Sequence, residues 1–262
     1  MSERVASSAV RLVRFRHGTR IATGSIDGDY VRPLGGTFFE NPVPTGEEIP
    51  AAAVRLLAPV IPSKVVCVGR NYVEHAAEMG GEVPEEPVIF LKPSTSVIGP
   101  GDPIPYPRLS ERVDHEGELG VVIGRLARRV KTEEAGRYIL GFTCGNDVTA
   151  RDLQRRDGQW TRGKGFDGFC PLGPWVETEF DPADAAVECR LNGALRQSAR
   201  TSALTFGPAE LVAFVSAVMT LLPGDVILTG TPAGVGPMTV GDRVEVEVEG
   251  IGVLENEVVD GG

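Results

Sequence analysis

The stretch Asp114-His115-Glu116-Gly117-Glu118-Leu119-Gly120-Val121-Val122-Ile123 carries two signals at once. Its second half is a continuous apolar run that reads as a strong apolar strand. Its first half places glutamates at alternate positions, which on an extended chain point to one side. Carboxylates held that way repel unless a proton or a cation lies between them. A hard divalent ion with a preference for oxygen, Mg²⁺ or Mn²⁺ rather than zinc, satisfies such a pair. The plainer reading of a bare Glu-x-Glu is two solvated side chains at a strand edge.

Short strands and turns surround this segment. Val10–Phe15 and Arg20–Ile26 alternate in character about His17-Gly18, and Lys64–Val68, Val88–Lys92, Phe142–Asn146 and Val226–Thr229 read as further strands. Asn192-Gly193 after Glu188–Leu191 signals a tight hairpin, and Arg243–Glu249 alternates valine with charge. Helices are few. Asn71 can cap a short one over Tyr72–Met79 that Gly80-Gly81 ends, a pair that also suits a hinge. Thr132–Tyr138 and Ala150–Arg156 are two more. Pro208 opens the clearest helix, with Leu211, Phe214, Val215 and Val218 forming a stripe and Pro223-Gly224 closing it. The pattern predicts a β-rich mixed α+β fold without regular βαβ alternation. The proline-rich approach from Asn41 to Pro62 divides a small strand-rich N-terminal region, 1–62, from a larger domain, 63–262.

Bulk properties exclude several classes of function. A chain of 262 residues with 26 basic against 36 acidic side chains, net charge −10, lacks the basic face that nucleic acid requires. The longest strongly apolar region, Leu211 to Leu222, is too short to cross a bilayer. Arginines at 4, 11, 14 and 16 interrupt any signal-peptide run near the start. Cys67, Cys144, Cys170 and Cys189 are widely spaced among apolar neighbours, which suits reduced thiols and a cytoplasmic setting.

Six fragments occur in a telling order: Val66-Cys67-Val68-Gly69-Arg70-Asn71-Tyr72, Phe90-Leu91-Lys92-Pro93, His115-Glu116-Gly117-Glu118-Leu119-Gly120, Asn146-Asp147-Val148-Thr149-Ala150-Arg151-Asp152, Lys164-Gly165-Phe166 and Thr229-Gly230-Thr231-Pro232. Together, over Lys64 to Val258, they resemble the fumarylacetoacetate hydrolase family. The resemblance implies that family's C-terminal β-sandwich roll preceded by a small N-terminal region. It also implies a Mg²⁺ or Mn²⁺ site on Glu116, Glu118 and Asp147, and a homodimer. Three carboxylates around a divalent ion leave a charge near −1 and room for about three more oxygens, two of which a 2-oxo acid can supply. Such an ion polarises the keto oxygen and stabilises the enolate that forms beside it. Asp147 has an ordinary alternative as a cap for the helix that follows.

The resemblance also gives His75 and Glu78, three apart on one helix face, the role of a proton-moving dyad on a lid that orders over substrate. Their bland reading is an exposed helix pair. Lys164 aligns with a lysine near the metal that steadies substrate charge. Arg151 and Gln154 align with substrate contacts, Arg70 offers a charge to a carboxylate, and Thr231 offers a hydroxyl and a backbone N–H. Each is otherwise a surface cation, an ion-pair partner or a turn residue. His115 points away from the metal face and reads as structural; His17 lies in a solvated turn.

Every chemistry implied passes through an enolate of a small 2-oxo acid. The dyad favours hydrolysis of a C–C bond in a 2,4-dioxo acid of acylpyruvate or fumarylpyruvate type. The alternatives are oxaloacetate decarboxylation and isomerisation of 2-hydroxyhepta-2,4-diene-1,7-dioate in aromatic catabolism; a metal-binding protein without catalysis is the remaining class. The variable loops Gly80–Pro87 and Asp157–Arg162 would line the distal pocket.

Overall fold

The computed structural model describes residues 10–40, 42–78, 80–81 and 83–262. Arg4, Asn41 at the head of the proline-rich approach, Met79 at the expected helix end and Glu82 in the expected distal loop lie outside the described residues.

Strands dominate. The long sheet runs in the order Val43–Pro44, Tyr30–Gly35, Arg20–Asp27, Arg11–His17, Cys170–Glu177, Ile139–Asn146, Gly117–Ile123, Val226–Leu228, Lys64–Gly69, Val88–Pro93. A second sheet orders Ile104–Tyr106, Gly252–Asp260, Arg243–Val248, Ala186–Leu191 and Ala194–Arg200. The apolar run that opened the sequence reading lies at the heart of the long sheet. Leu119 and Val121 face a core shared with Val187, Cys189 and Val246 of the second sheet, while Val122 faces an opposite core with Val65, Cys67 and Leu172. Coverage on both faces is why this strand shows no polar alternation. The chain has the expected β-rich sandwich with an N-terminal region.

That N-terminal region is strand-rich, and its first strand extends the long sheet itself, Arg11 opposite Glu177 and Leu12 opposite Val176. The proline-rich approach is less of a breaker than its composition suggests. Ile49–Pro50 pairs with Tyr30–Gly35 and Arg55–Leu57 with Arg11–His17, because proline is tolerated on short edge pairings. Asn192 and Gly193 both take positive φ, 53° and 78°, as the hairpin signal requires.

Local expectations are corrected at Asn71 and at the helix that Pro208 opens. Asn71 does not cap the short helix, observed as Val73–Glu78. Its buried amide instead donates to the Phe206 and Thr229 carbonyls and accepts from the Phe206 N–H, a use that satisfies more of its groups than a cap would. The helix does end at Gly80-Gly81: Gly81 N–H reaches the Ala76 carbonyl and Gly80 N–H that of Ala77, a Schellman closure with Gly80 at φ 72°. The helix Pro208–Val218 stops before Pro223 and buries Leu211, Val212, Val215 and Ser216, leaving Val218 60% exposed. Ser216 turns inward because its hydroxyl accepts from Val130 N–H and donates to Ala213, which rotates the buried face away from Val218. No helix among the described residues is long and apolar enough to cross a membrane.

Candidate metal centre

Glu116 occupies the break between Val113–His115 and Gly117–Ile123, and Glu118 follows in the second of these strands. Asp147 is brought alongside by pairing: Gly117 lies opposite Asn146, the Asp147 N–H donates to the Glu116 carbonyl at 2.8 Å, and Asn146 Oδ1 accepts from the Glu116 N–H at 3.0 Å. One carboxylate oxygen from each of Glu116, Glu118 and Asp147 lies within 4.8 Å of the others, and all three residues are buried. Gly117 makes the close approach possible, since a Cβ there would stand 3.0 Å from Cys189 Cβ of the second sheet.

Three buried cations surround the trio. Lys164 Nζ donates to Glu116 Oε2 at 2.7 Å and Asp147 Oδ2 at 2.8 Å. Arg151 donates to Glu116, to Asp114 at 2.9 Å and to Gln154 at 2.7 Å. Lys92, fully buried, sits 2.7 Å from Asp147 Oδ1. The expected charge of −1 counts the ion and its three ligands alone. With Arg112 also pairing the buried Asp114, the three cations formally balance the trio, so a divalent ion would leave the cluster positive and receptive to an anionic substrate.

Electrostatics divide the trio. Burial opposes ionisation of Glu116, but Lys164 and Arg151 outweigh it and hold the carboxylate below its ordinary range. Burial pushes Glu118 well above its ordinary range, and Asp147 and Glu116 push the same way. For Lys164, burial is overcome by Asp147 and Glu116, which push it up to about 12.

The donor set fits a divalent cation on one further observation. The three Lys92 protons go to the Val148, Lys164 and Phe169 carbonyls at 3.0, 2.6 and 2.8 Å. Asp147 Oδ1 therefore faces the ammonium nitrogen without receiving a hydrogen bond, and is a buried acceptor with no donor among the described residues. Asp147 is not a cap: the helix Arg151–Asp157 starts from Ala150 without any side-chain cap.

A cavity of about 280 Å³ opens onto the trio. His75, Glu78, Lys164, Thr231, Arg70, Arg151 and Gln154 all line it with Glu116, Glu118 and Asp147, so the fold brings every sequence-derived candidate to one place. His75 Nδ1 lies 3.1 Å from Glu78 Oε2, and the Gly234 N–H holds both Glu78 oxygens at 3.1 and 3.3 Å. A carboxylate only accepts there, which assigns a proton to Nδ1 and turns Nε2 away from Glu78. Arg70 is exposed at the mouth with a positive φ of 58°. Arg151 directs a donor from each of its three nitrogens to Asp114, Gln154 and Glu116, so it braces these side chains first. Val68, Phe90 and Trp160 form an apolar wall, the two rings edge-to-face at 5.2 Å. Of the two variable loops, Asp157–Arg162 supplies Trp160.

Sequence reasoning quoted Lys92 and Asp114 without assigning them work and passed over Gln197. The signal for Lys92 was a lysine inside an apolar strand. For Gln197 it was a lone inward polar position on an otherwise outward strand, visible only once the register was known.

A β-sandwich holding three carboxylates against three buried cations beside a His–Glu pair defines an enzyme-like acidic site rather than a binding face. The comparisons agree. The model for the fumarylacetoacetate hydrolase C-terminal family matches residues 64–259, and the Rv2993c-like N-terminal family matches residues 10–59. The chain belongs to the fumarylacetoacetate hydrolase family. It is 51% identical to Protein Rv2993c of Mycobacterium tuberculosis over 263 residues, 97% of this chain and 99% of that one. It is 47% identical to the human mitochondrial oxaloacetate tautomerase FAHD2A over 224 residues, 80% of this chain and 71% of that one. The solved structure of a 5-carboxymethyl-2-hydroxymuconate delta-isomerase from Mycobacterium smegmatis matches with TM-score 0.90 and 52% identity, covering 95% of this chain and 99% of that one.

Proposed function

We propose that this chain is a divalent-metal-dependent enzyme acting on a small 2-oxo acid, and that it relocates a proton beside the keto group as a tautomerase or isomerase. The observation that carries the 2-oxo acid reading is His75, braced by Glu78 and opening with the carboxylate trio onto one cavity, an arrangement that serves proton relocation and hydrolysis alike. Names of relatives near half identity, a tautomerase and a delta-isomerase, support the same choice.

Glu116, Glu118 and Asp147 would hold Mg²⁺ or Mn²⁺, which when bound supplies Lewis-acid polarisation of the substrate's keto group. The residues of the chain do the rest. Lys164 pins Glu116 and Asp147 through two charge-assisted hydrogen bonds. Arg151 braces Glu116 from the other side. His75 Nε2, aimed by the Nδ1–H donated to Glu78, takes a proton from the carbon next to the keto group and returns it elsewhere. Val68, Phe90 and Trp160 pack the carbon skeleton and keep water from the reacting face.

C–C hydrolysis of a 2,4-dioxo acid is the second reading. It is favoured by the same dyad, because a His–Glu pair also deprotonates an attacking water. The test is the full chain with oxaloacetate, 2-hydroxyhepta-2,4-diene-1,7-dioate, acetylpyruvate and fumarylpyruvate, each with Mg²⁺, Mn²⁺ or EDTA. Expected is metal-dependent keto–enol or double-bond exchange followed by NMR. Faster cleavage of the dioxo acids would exchange the two readings; no metal-dependent change in any substrate would refute both.

A further inference from the structure

We infer that Gln197 is a positioning residue that locks the Thr229-Gly230-Thr231-Pro232 turn against the Glu116-Gly117-Glu118 segment, so that the Thr231 backbone N–H, and not its hydroxyl, is what this turn offers substrate. The inference rests on the substrate reading above.

Gln197 lies in Ala194–Arg200, the outermost strand of the second sheet, opposite Cys189 and so on the inward face. It is 1% exposed in a strand whose neighbouring positions are mostly open to solvent. Its amide has two donors and two acceptor lone pairs, and all four are used. Nε2 donates to Thr231 Oγ1 at 2.6 Å and to the Pro232 carbonyl at 2.8 Å. Oε1 accepts from the Gly117 N–H at 3.0 Å and from His115 Nδ1 at 3.1 Å. One side chain therefore touches two residues of the turn, the glycine between two proposed ligands, and the neighbour of Glu116.

The consequence falls on Thr231. Its hydroxyl proton goes to the Gly117 carbonyl at 2.9 Å while an oxygen lone pair receives Gln197. That hydroxyl has no proton left for a substrate carboxylate. The next N–H back along the turn, that of Gly230, is held by Glu118 Oε2 at 2.7 Å. The Thr231 N–H has no acceptor among the described residues, and Thr231 lines the cavity. Packing alone would be served by leucine or methionine at position 197; four directed hydrogen bonds spanning two loops specify geometry instead.

The test is a double-mutant cycle in the full chain with Gln197→Glu and Thr231→Val. Glutamate keeps the two acceptor contacts and loses both donors; valine removes the hydroxyl and keeps the backbone N–H. Three quantities are read: KM and kcat for oxaloacetate, the affinity for oxalate in the presence of Mn²⁺ by calorimetry, and the affinity for Mn²⁺ alone. Each single variant should raise KM and the oxalate Kd by about 10- to 100-fold, the scale of a misplaced contact. Affinity for Mn²⁺ should stay within about threefold, and the double variant should be no worse than the poorer single one. If the buried glutamate prevents folding, Gln197→Met carries the same expectations. Oxalate and KM effects within twofold of the parent, or effects that add fully, overturn the inference. Coupled oxalate effects in a chain without turnover would leave the inference standing and sink the proposed function instead.

Discussion

Replacing Lys92 by methionine tests whether the buried charge balance holds this site together. The two side chains are similar in length and flexibility, so the change leaves little cavity and acts mainly on polar contacts. It strands the Val148, Lys164 and Phe169 carbonyls and removes the cation 2.7 Å from Asp147 Oδ1. Each stranded acceptor costs about 1–3 kcal/mol, and breaking a buried ion pair from one side costs about 3–5 kcal/mol. These penalties overlap because the same loops relax to meet them, which sets the expected loss at about 3–5 kcal/mol. At about 2–4 °C per kcal/mol for a chain of this size, Tm should fall by about 6–20 °C in EDTA, measured by circular dichroism. Added Mn²⁺ should raise Tm more in the variant than in the parent, because one fewer positive charge opposes the ion. A Tm within about 2 °C of the parent would show that desolvation of the ammonium cancels its bonds, and would refute the reasoning.

Other outcomes follow from the same contacts. Glu118→Gln should abolish the stabilisation that saturating Mn²⁺ gives the parent, about 2.7 kcal/mol at a hundredfold excess over Kd and read as a rise in Tm; an undiminished rise would remove Glu118 from the ligand set. His75→Ala should lower turnover by about 10²–10⁴-fold while keeping the Mn²⁺ response, and full turnover would end the dyad's role. For Asp152, burial pushes the carboxyl up, but the Ser110 hydroxyl and the Glu111 and Leu153 N–H groups outweigh it and lower it from 3.8. Its stabilisation is therefore complete above about pH 4 and is lost as pH falls through the depressed value. Asp152→Asn should cost under about 1 kcal/mol at pH 7 and less near pH 2, a difference that urea titrations at the two pH values would detect or deny. Light scattering should give twice the chain mass of 27.9 kDa if the homodimer that the family resemblance implies is correct; a monomeric mass would discard it.

The fold was legible where one physical cause acted alone. Leu119–Ile123 reads as an apolar strand because the fold buries both its faces, and Asn192-Gly193 reads as a turn because the chain needs two positive φ values there. The misreadings occurred where two causes compete. Asn71 precedes a helix, which suggests a cap, yet three backbone partners from distant loops claim its amide. The spacing of Val218 continues an apolar stripe, but Ser216 is worth more inside because Val130 N–H needs an acceptor there. Local pattern cannot register a partner more than eighty positions away.

The site divides along the same line. Two carboxylates at alternate positions raise a cation as one reading because their repulsion is a property of neighbouring positions, and the ordered fragments lift that reading above two solvated side chains at Glu116 and Glu118. Their counter-charges could not be read from spacing: Lys164 and Arg151 enter only through the resemblance, and Lys92 is given no work. Lys92, Lys164 and Arg151 come from three other segments, and only the pairing of Gly117 with Asn146 shows that all three converge on one trio. That convergence reverses the sign of the argument about substrate. Three carboxylates alone would leave a loaded site negative and inhospitable to an anion, whereas three carboxylates already neutralised make the metal's charge available to one. The anionic 2-oxo acid that the sequence suggested by resemblance acquires its physical reason from two lysines and an arginine whose contacts with the carboxylates only the fold displays.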